Sequence, residues 1–140
     1  MTLMYLFDTD TLSQIMRRNP PRRLLARLDL TPREYQFTSA INVGELLFGA
    51  YRSPNRNAFL QQVESLIFPS FEVLPFELRA ADVYARVRAT LEREGRPLAD
   101  ADLRIAAVAI VNDLTLVTGN VRHFTRIPDL RIENWIKSYS

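Results

Sequence analysis

Met4-Tyr5-Leu6-Phe7-Asp8-Thr9-Asp10-Thr11 opens the chain with an apolar run that stops abruptly in two carboxylates one residue apart. From Leu3 to Phe7 there is no polar alternation, which is the pattern of a strand buried on both faces, as in a parallel sheet. Such a strand needs helices above and below it, so the run commits the chain to an α/β architecture. Asp8 and Asp10 then fall at the carboxyl end of the strand, where open α/β sheets bind ligands.

The remaining pattern agrees with that start. Thr9 or Asp10 can cap a short helix through about Arg18, and Asn19-Pro20-Pro21 ends it and begins a second through about Leu30. Tyr35-Gln36-Phe37-Thr38 reads as a strand, followed by a helix from about Ile41 to Arg52 capped by Ser39. Phe59, Leu60, Val63, Leu66 and Ile67 recur at helical spacing as far as Pro69, and Phe71 to Leu74 is a third strand. A long amphipathic helix opens at Pro75 and Glu77 and stops at Gly95 and Pro97. Leu103 to Val111 has Arg104 as its only polar residue, so that helix belongs at the centre of the fold. Leu114 to Thr118 is a fourth strand, Gly119-Asn120 a turn, and Leu130-Arg131-Ile132 a last edge strand. The expected fold is a three-layer α/β/α sandwich around a central, mainly parallel sheet of four to five strands.

With 140 residues, 1–140 is expected to be a single domain that buries a core without disulfides or a structural metal. The absence of cysteine excludes disulfide scaffolds, zinc–thiolate sites, iron–sulfur clusters and thiol nucleophiles. No stretch approaches the length of a membrane span, and the opening run is too short for a signal-peptide core. The expectation is a soluble, cytoplasmic protein with no membrane partner. Net charge is only +2, yet Lys137 is the sole lysine, so the cationic charge is almost all arginine. Guanidinium forks grip phosphates bidentately, which raises a nucleic-acid reading. The cluster Arg17-Arg18, Arg22-Arg23 and Arg27, taken alone, reads as a solvated helix face.

Three carboxylates stand next to segments that should be buried: Asp8 at a strand end, Glu45 beside Ile41, Leu46 and Leu47, and Asp102 opening the apolar helix. Buried carboxylates are paired, hydrogen-bonded or bound to metal, and no lysine or histidine lies near these in sequence. Carboxylates converging on one point repel, and a hard divalent cation resolves the conflict, so Mg²⁺, with Mn²⁺ able to substitute, is the expected cofactor. The same ion suits metal-dependent phosphodiester hydrolysis. Blander roles stay open at this point: Asp10 and Asp100 as helix caps, and Glu45 pointing along an exposed helix surface. The single histidine, His123, reads as a surface residue or structural hydrogen-bonder, and Trp135 as a packing anchor.

Phe7-Asp8-Thr9-Asp10-Thr11 also satisfies the D-x-D-x-T pattern of haloacid-dehalogenase-like phosphatases, with Asp8 as nucleophile. That scheme gives Glu45 no role and needs a lysine facing the phosphate, whereas Lys137 is almost terminal. Assembled, the positions point elsewhere. The segments LFDTDTLS with Asp8, INVGELLFGA with Glu45, GRPLADADLRIAAVA with Asp102 and TLVTGNVRHFTRIPDLRIENW with Asn120 resemble the PIN-domain ribonucleases. Within them they resemble the VapC toxins of toxin–antitoxin pairs.

The resemblance implies a Mg²⁺-dependent endoribonuclease with Asp8, Glu45 and Asp102 as its catalytic acidic core. Those three would bind the metal, with Asp100 as an auxiliary carboxylate and Asn120 at a fourth position where many PIN domains carry aspartate. It further implies a homodimer, an RNA substrate cut to 5′-phosphate and 3′-hydroxyl ends, and a cognate VapB-type antitoxin whose C-terminal segment covers the site. Thr9 and Thr118 carry hydroxyls close in sequence to the ligands and would orient them. A non-catalytic PIN-like module that binds RNA or protein is the other alternative.

Overall fold

The computed structural model of the protein describes residues 3–137. Among them, five strands form one sheet in the order β3-β2-β1-β4-β5. They are β1 (Tyr5–Phe7), β2 (Gln36–Ser39), β3 (Glu72–Leu74), β4 (Thr115–Val117) and β5 (Ile132–Glu133). Every pairing is parallel, with Leu6 opposite Phe37 on one side and Leu116 on the other. The helices are α1 (Thr9–Ile15), α2 (Arg22–Asp29), α3 (Ala40–Tyr51), α4 (Arg56–Gln62), α5 (Leu78–Arg93), α6 (Asp100–Val111) and α7 (Val121–Phe124).

Side chains alternate across a strand, and both faces of this sheet are covered, which is why the opening run carries no polar alternation. Leu6 and Leu116 join a core with Ala80 and Leu91 of α5, Leu103, Ile105 and Val108 of α6, and Phe124. Phe7 and Val117, one residue on, belong to the opposite core, with Leu12 of α1, Leu24 of α2, Leu46 of α3, Ile67, Phe71 and Trp135. The expected α/β/α layering is therefore observed, with five strands, all parallel.

Several element boundaries differ from expectation, each for a local reason. The N-cap of α1 is Asp8, whose carboxylate accepts from the Thr9 amide, one residue ahead of the expected Thr9 or Asp10. That helix stops at Ile15 instead of running to about Arg18. The segment to Pro69 is α4 followed by a wider π turn over Val63–Ile67, closed by Phe68 N–H donating to the Val63 carbonyl at 3.2 Å. Val63 and Ile67, at the two ends of that turn, are fully buried. Gly95, at φ 68, ends α5 in the left-handed region that glycine enters without a Cβ penalty. The short α7 lies where only a turn was expected, and β5 is shifted from 130–132 to Ile132–Glu133.

The chain passes from β1 outward to β2 and β3, then returns across β1 to β4 on its other side. Adjacent strands β1 and β4 thus diverge in connection, and the crevice at their carboxyl ends is the switch point of an open α/β sheet. Asp8 ends β1 there and Thr118 ends β4, tied by Asp8 N–H donating to the Val117 carbonyl at 2.9 Å.

Candidate active site

Asp8 is buried, 4% exposed, and is held from three sides. Its Oδ1 accepts from Thr9 N–H at 2.8 Å and from Asn42 Nδ2 at 3.0 Å, and its Oδ2 accepts from Thr118 Oγ1 at 2.8 Å. Thr118 Oγ1 in turn accepts from Asn120 N–H at 3.0 Å, so β4 and the start of α7 are fastened to the same carboxylate. Burial, then Asp10, push the Asp8 carboxyl up to about 7 against the pull of Thr118 and Thr9, and Asp102 adds to the rise.

Glu45, on α3, is not buried as its apolar neighbours suggested; it lies on an exposed stretch of that helix. It nevertheless turns to the same crevice, with Oε1 accepting from Thr9 Oγ1 at 2.6 Å. Asp102, in the first turn of α6, is partly buried, and its carboxyl is raised by burial and by Glu45 and Asp10, while His123 acts in the opposite direction. Asp8, Asp10, Glu45 and Asp102 therefore share one electrostatic field although they come from β1–α1, α3 and α6.

Asp10 is a brace. Its Oδ1 accepts from Thr11 N–H at 2.8 Å and its Oδ2 from Gly119 N–H at 2.8 Å, joining α1 to the loop after β4. A Cβ at position 119 would stand 2.6 Å from that Oδ2, so only glycine lets the loop come this close. Asp100 is turned away from the crevice: it accepts from Tyr84 Oη, from Arg88 Nη1 at 3.1 Å and from Arg104 Nε at 2.6 Å. Those partners, Tyr84 first, hold its carboxyl below the usual range. Asn120 stands exposed at the N-cap of α7 without a side-chain cap bond.

Two contributors escaped the sequence reading. His123 has its Nδ1 3.8 Å from Asp102 Oδ2, placed there by the unexpected helix α7. Asn42 is fully buried and donates to both Asp8 and Thr9. A polar residue three positions before Glu45, hence on the same helix face, was the available signal.

The chemistry of this donor set fits a hard cation. Among the described residues every arginine ion pair is elsewhere, in Arg27–Glu133, Arg86–Asp82, Arg88–Glu92, Arg88–Asp100, Arg104–Asp100 and Arg131–Asp113. Among the described residues, the basic side chain that pairs with a crevice carboxylate is His123, beside Asp102. Among the described residues, no three such side chains are gathered into a metal-holding group. Oxygen-only donors with uncompensated negative charge are the ligand type of Mg²⁺ or Mn²⁺.

A wholly parallel sheet covered by helices, with Asp8 at its switch point and Glu45 turned to the same crevice, defines an α/β protein with an acidic site at the carboxyl ends of its strands. The family model described as PIN domain matches residues 5–130, and the chain belongs to that family, a nuclease fold. The chain is 37% identical over 135 residues to the tRNA(fMet)-specific endonuclease VapC of Salmonella typhimurium, covering 95% of this chain and 98% of that one. It is 34% identical over 126 residues to Toxin FitB of Neisseria gonorrhoeae, covering 86% and 91%. The crystal structure of DNA-bound VapBC from Salmonella typhimurium matches with a TM-score of 0.88 at 35% identity, over 96% of this chain and 99% of that chain. VapBC2 from Rickettsia felis, bound to a promoter DNA fragment, gives 0.88 at 28% identity over 95% and 99%. Membership displaces the phosphatase reading of D-x-D-x-T: Asp10 braces Gly119, and Glu45, idle in that scheme, is in the crevice.

Proposed function

We propose that this protein is a Mg²⁺-dependent endoribonuclease, the toxin of a VapBC-type toxin–antitoxin pair, and that Asp8, Glu45 and Asp102 form its catalytic and metal-binding core. The observation that carries this reading is the approach of three distant acids to one crevice, where, among the described residues, no arginine or lysine pairs with them. Asn120 is the fourth, uncharged position, with one negative charge fewer than aspartate would bring. The contacts of Asp100 support a different task for it, holding Arg88 and Arg104 beside the first turn of α6.

When bound, the divalent ion supplies a polarised water and charge stabilisation at a phosphodiester. The protein's own part is positional. Thr118 and Asn42 donate hydrogen bonds to Asp8, and Thr9 donates to Glu45, which fixes how the two carboxylates are turned. The Asp10–Gly119 bond keeps the β4–α7 loop against α1, which sets where Asn120 and His123 stand relative to the acids. The crevice is open to a single RNA strand at the exposed Glu45 and His123.

The name of one VapC relative, a tRNA(fMet)-specific endonuclease, makes tRNA(fMet) the first RNA to try. Likeness to the VapBC structures assigns a VapB-type antitoxin as partner. Leu25 of α2, Leu66 of the π turn and Phe68 after it remain exposed, and a nearby cleft where Ile15, Leu28, Leu66 and Phe71 alternate with Asp29, Arg33 and Gln36 offers both apolar and polar contacts to a peptide.

The test is incubation of purified protein with defined RNAs in Mg²⁺, Mn²⁺ or EDTA, with mapping of the ends. Discrete cuts that need the ion and vanish in Asp8→Ala, Glu45→Ala and Asp102→Ala are expected. RNA bound but never cut, with Asp8→Asn binding unchanged, would establish the non-catalytic module instead.

A further inference from the structure

The carboxylates of the crevice are oriented by a residue that none of the elementary chemistry requires. Asn42 sits in the first turn of α3 with no solvent exposure. Capping of that helix needs only its backbone: Asn42 N–H donates to Ser39 Oγ at 3.2 Å. The side chain is free for other work, and its contacts define a direction. Ser39 Oγ donates to Asn42 Oδ1 at 2.6 Å. With that oxygen engaged, Nδ2 donates to Asp8 Oδ1 at 3.0 Å and to Thr9 Oγ1 at 2.9 Å, an acceptor for each of its two hydrogens. Thr9 Oγ1, having accepted, gives its only hydrogen to Glu45 Oε1 at 2.6 Å. The flipped amide would set its oxygen against an oxygen of Asp8, so the polarity of the chain Ser39–Asn42–Thr9–Glu45 is determined by its own geometry.

The chain of donors ends on two carboxylates, Asp8 and Glu45, which selects the oxygens left for a cation. Asp8 Oδ1 already takes two donors, whereas Oδ2 takes only Thr118. Glu45 spends Oε1 on Thr9. We propose that Asn42 is a positioning residue that aligns two acids from different elements, Asp8 directly and Glu45 through Thr9, so that Asp8 Oδ2 and Glu45 Oε2 face one divalent ion. This rests on the reading of Asp8 and Glu45 as metal ligands.

The experiment measures Mn²⁺ affinity by calorimetry on the purified full-length protein, alongside thermal unfolding in EDTA. Asn42→Leu keeps the shape of the side chain and removes its hydrogen bonds, Thr9→Val severs only the Glu45 branch, and Asn42→Ser retains one donor. Loss of an outer-shell partner is expected to weaken Mn²⁺ binding by about 10- to 100-fold for Asn42→Leu, with a smaller loss for Asn42→Ser. The Asn42→Leu/Thr9→Val double variant should lose less than the two separate losses combined, since Thr9 is oriented through Asn42. A purely structural asparagine would lower the unfolding temperature in EDTA and leave affinity alone. Should Asn42→Leu fail to fold, Asn42→Ser and Thr9→Val carry the comparison. Affinity within twofold of wild type in the folded variants, with Asp8→Ala losing the ion, overturns the role of Asn42 alone. Undiminished binding by Asp8→Ala and Glu45→Ala overturns the metal-site reading itself.

Discussion

At the scale of single residues, Asp8 is where charge costs most. In the unfolded chain its carboxyl titrates near 3.8, whereas burial and its acidic neighbours raise it to about 7 in the fold. Between those values the folded state holds more proton than the unfolded one, so this group's contribution is most favourable below pH 4 and is lost as pH rises through about 7. In EDTA, Asp8→Asn should therefore be more stable than wild type at pH 8, by up to about 4 kcal/mol, with the gap closing toward pH 4. Unfolding curves of both proteins across that range measure it, and equal pH dependence would remove Asp8 as the cause. The same substitution should abolish RNA cleavage, since stability and activity here pull in opposite directions.

At the scale of elements, the loop between β4 and α7 and the segment after β5 hold the crevice from below. Gly119→Ala would force its Cβ against Asp10 Oδ2, 2.6 Å away, and spoil the Gly119–Asp10 bond. A loss of about 1–3 kcal/mol is expected, as for other overpacked sites, with cleavage falling more steeply than the unfolding temperature. Trp135 anchors the other side. It is fully buried, stands edge-on to Phe7 at 5.0 Å and to Tyr5 at 4.9 Å, and lies under Arg27 at 4.4 Å. Its Nε1 donates to Glu133 Oε1, which also accepts from Arg27, so α2, β1 and β5 meet at one side chain. Trp135→Ala should cost about 3–5 kcal/mol in denaturant unfolding, because a cavity of that size at a three-element junction cannot collapse.

At the scale of the whole molecule, a cation that binds the folded state and not the unfolded one must raise its stability. Titrating Mg²⁺ or Mn²⁺ at pH 8 should lift the unfolding temperature, by about 2.7 kcal/mol of stability at a hundredfold excess over Kd. Asp8→Asn should show little of that gain, and an equal gain in both proteins would place the ion elsewhere. The proposed homodimer is checked by light scattering on the eluting species, where a mass of one chain would dismiss it.

How far the sequence reaches differs from residue to residue. Asp8 was legible because an apolar run ending in acid has few explanations, and the α6 helix because Leu103 to Val111 is apolar on nearly all sides. Trp135 was legible as an anchor from its apolar flanks, and the structure puts it in the core. Asp100 was not, since its distance in sequence from Tyr84 and Arg88 hides the ion pairs that turn it away. His123 was read as a surface residue or structural hydrogen-bonder because a single histidine, with no partner near it in sequence, carries little signal, and α7 is what brings it to Asp102.

Hydrophobic periodicity, being a local property, sufficed for the alternation of strands and helices and the parallel sheet, and it placed Asp8 at a strand's carboxyl end; Glu45, expected to be buried by its apolar neighbours, is exposed. Which acids share a field, which brace a loop, and which asparagine orients them depended on the tertiary structure. Those relations join β1, α3, α6 and α7 across more than a hundred residues, as in the Thr118–Asp8 bond. Hydrogen-bond partners at such separations are selected by the approach of packed elements, and no spacing along the chain encodes that distance.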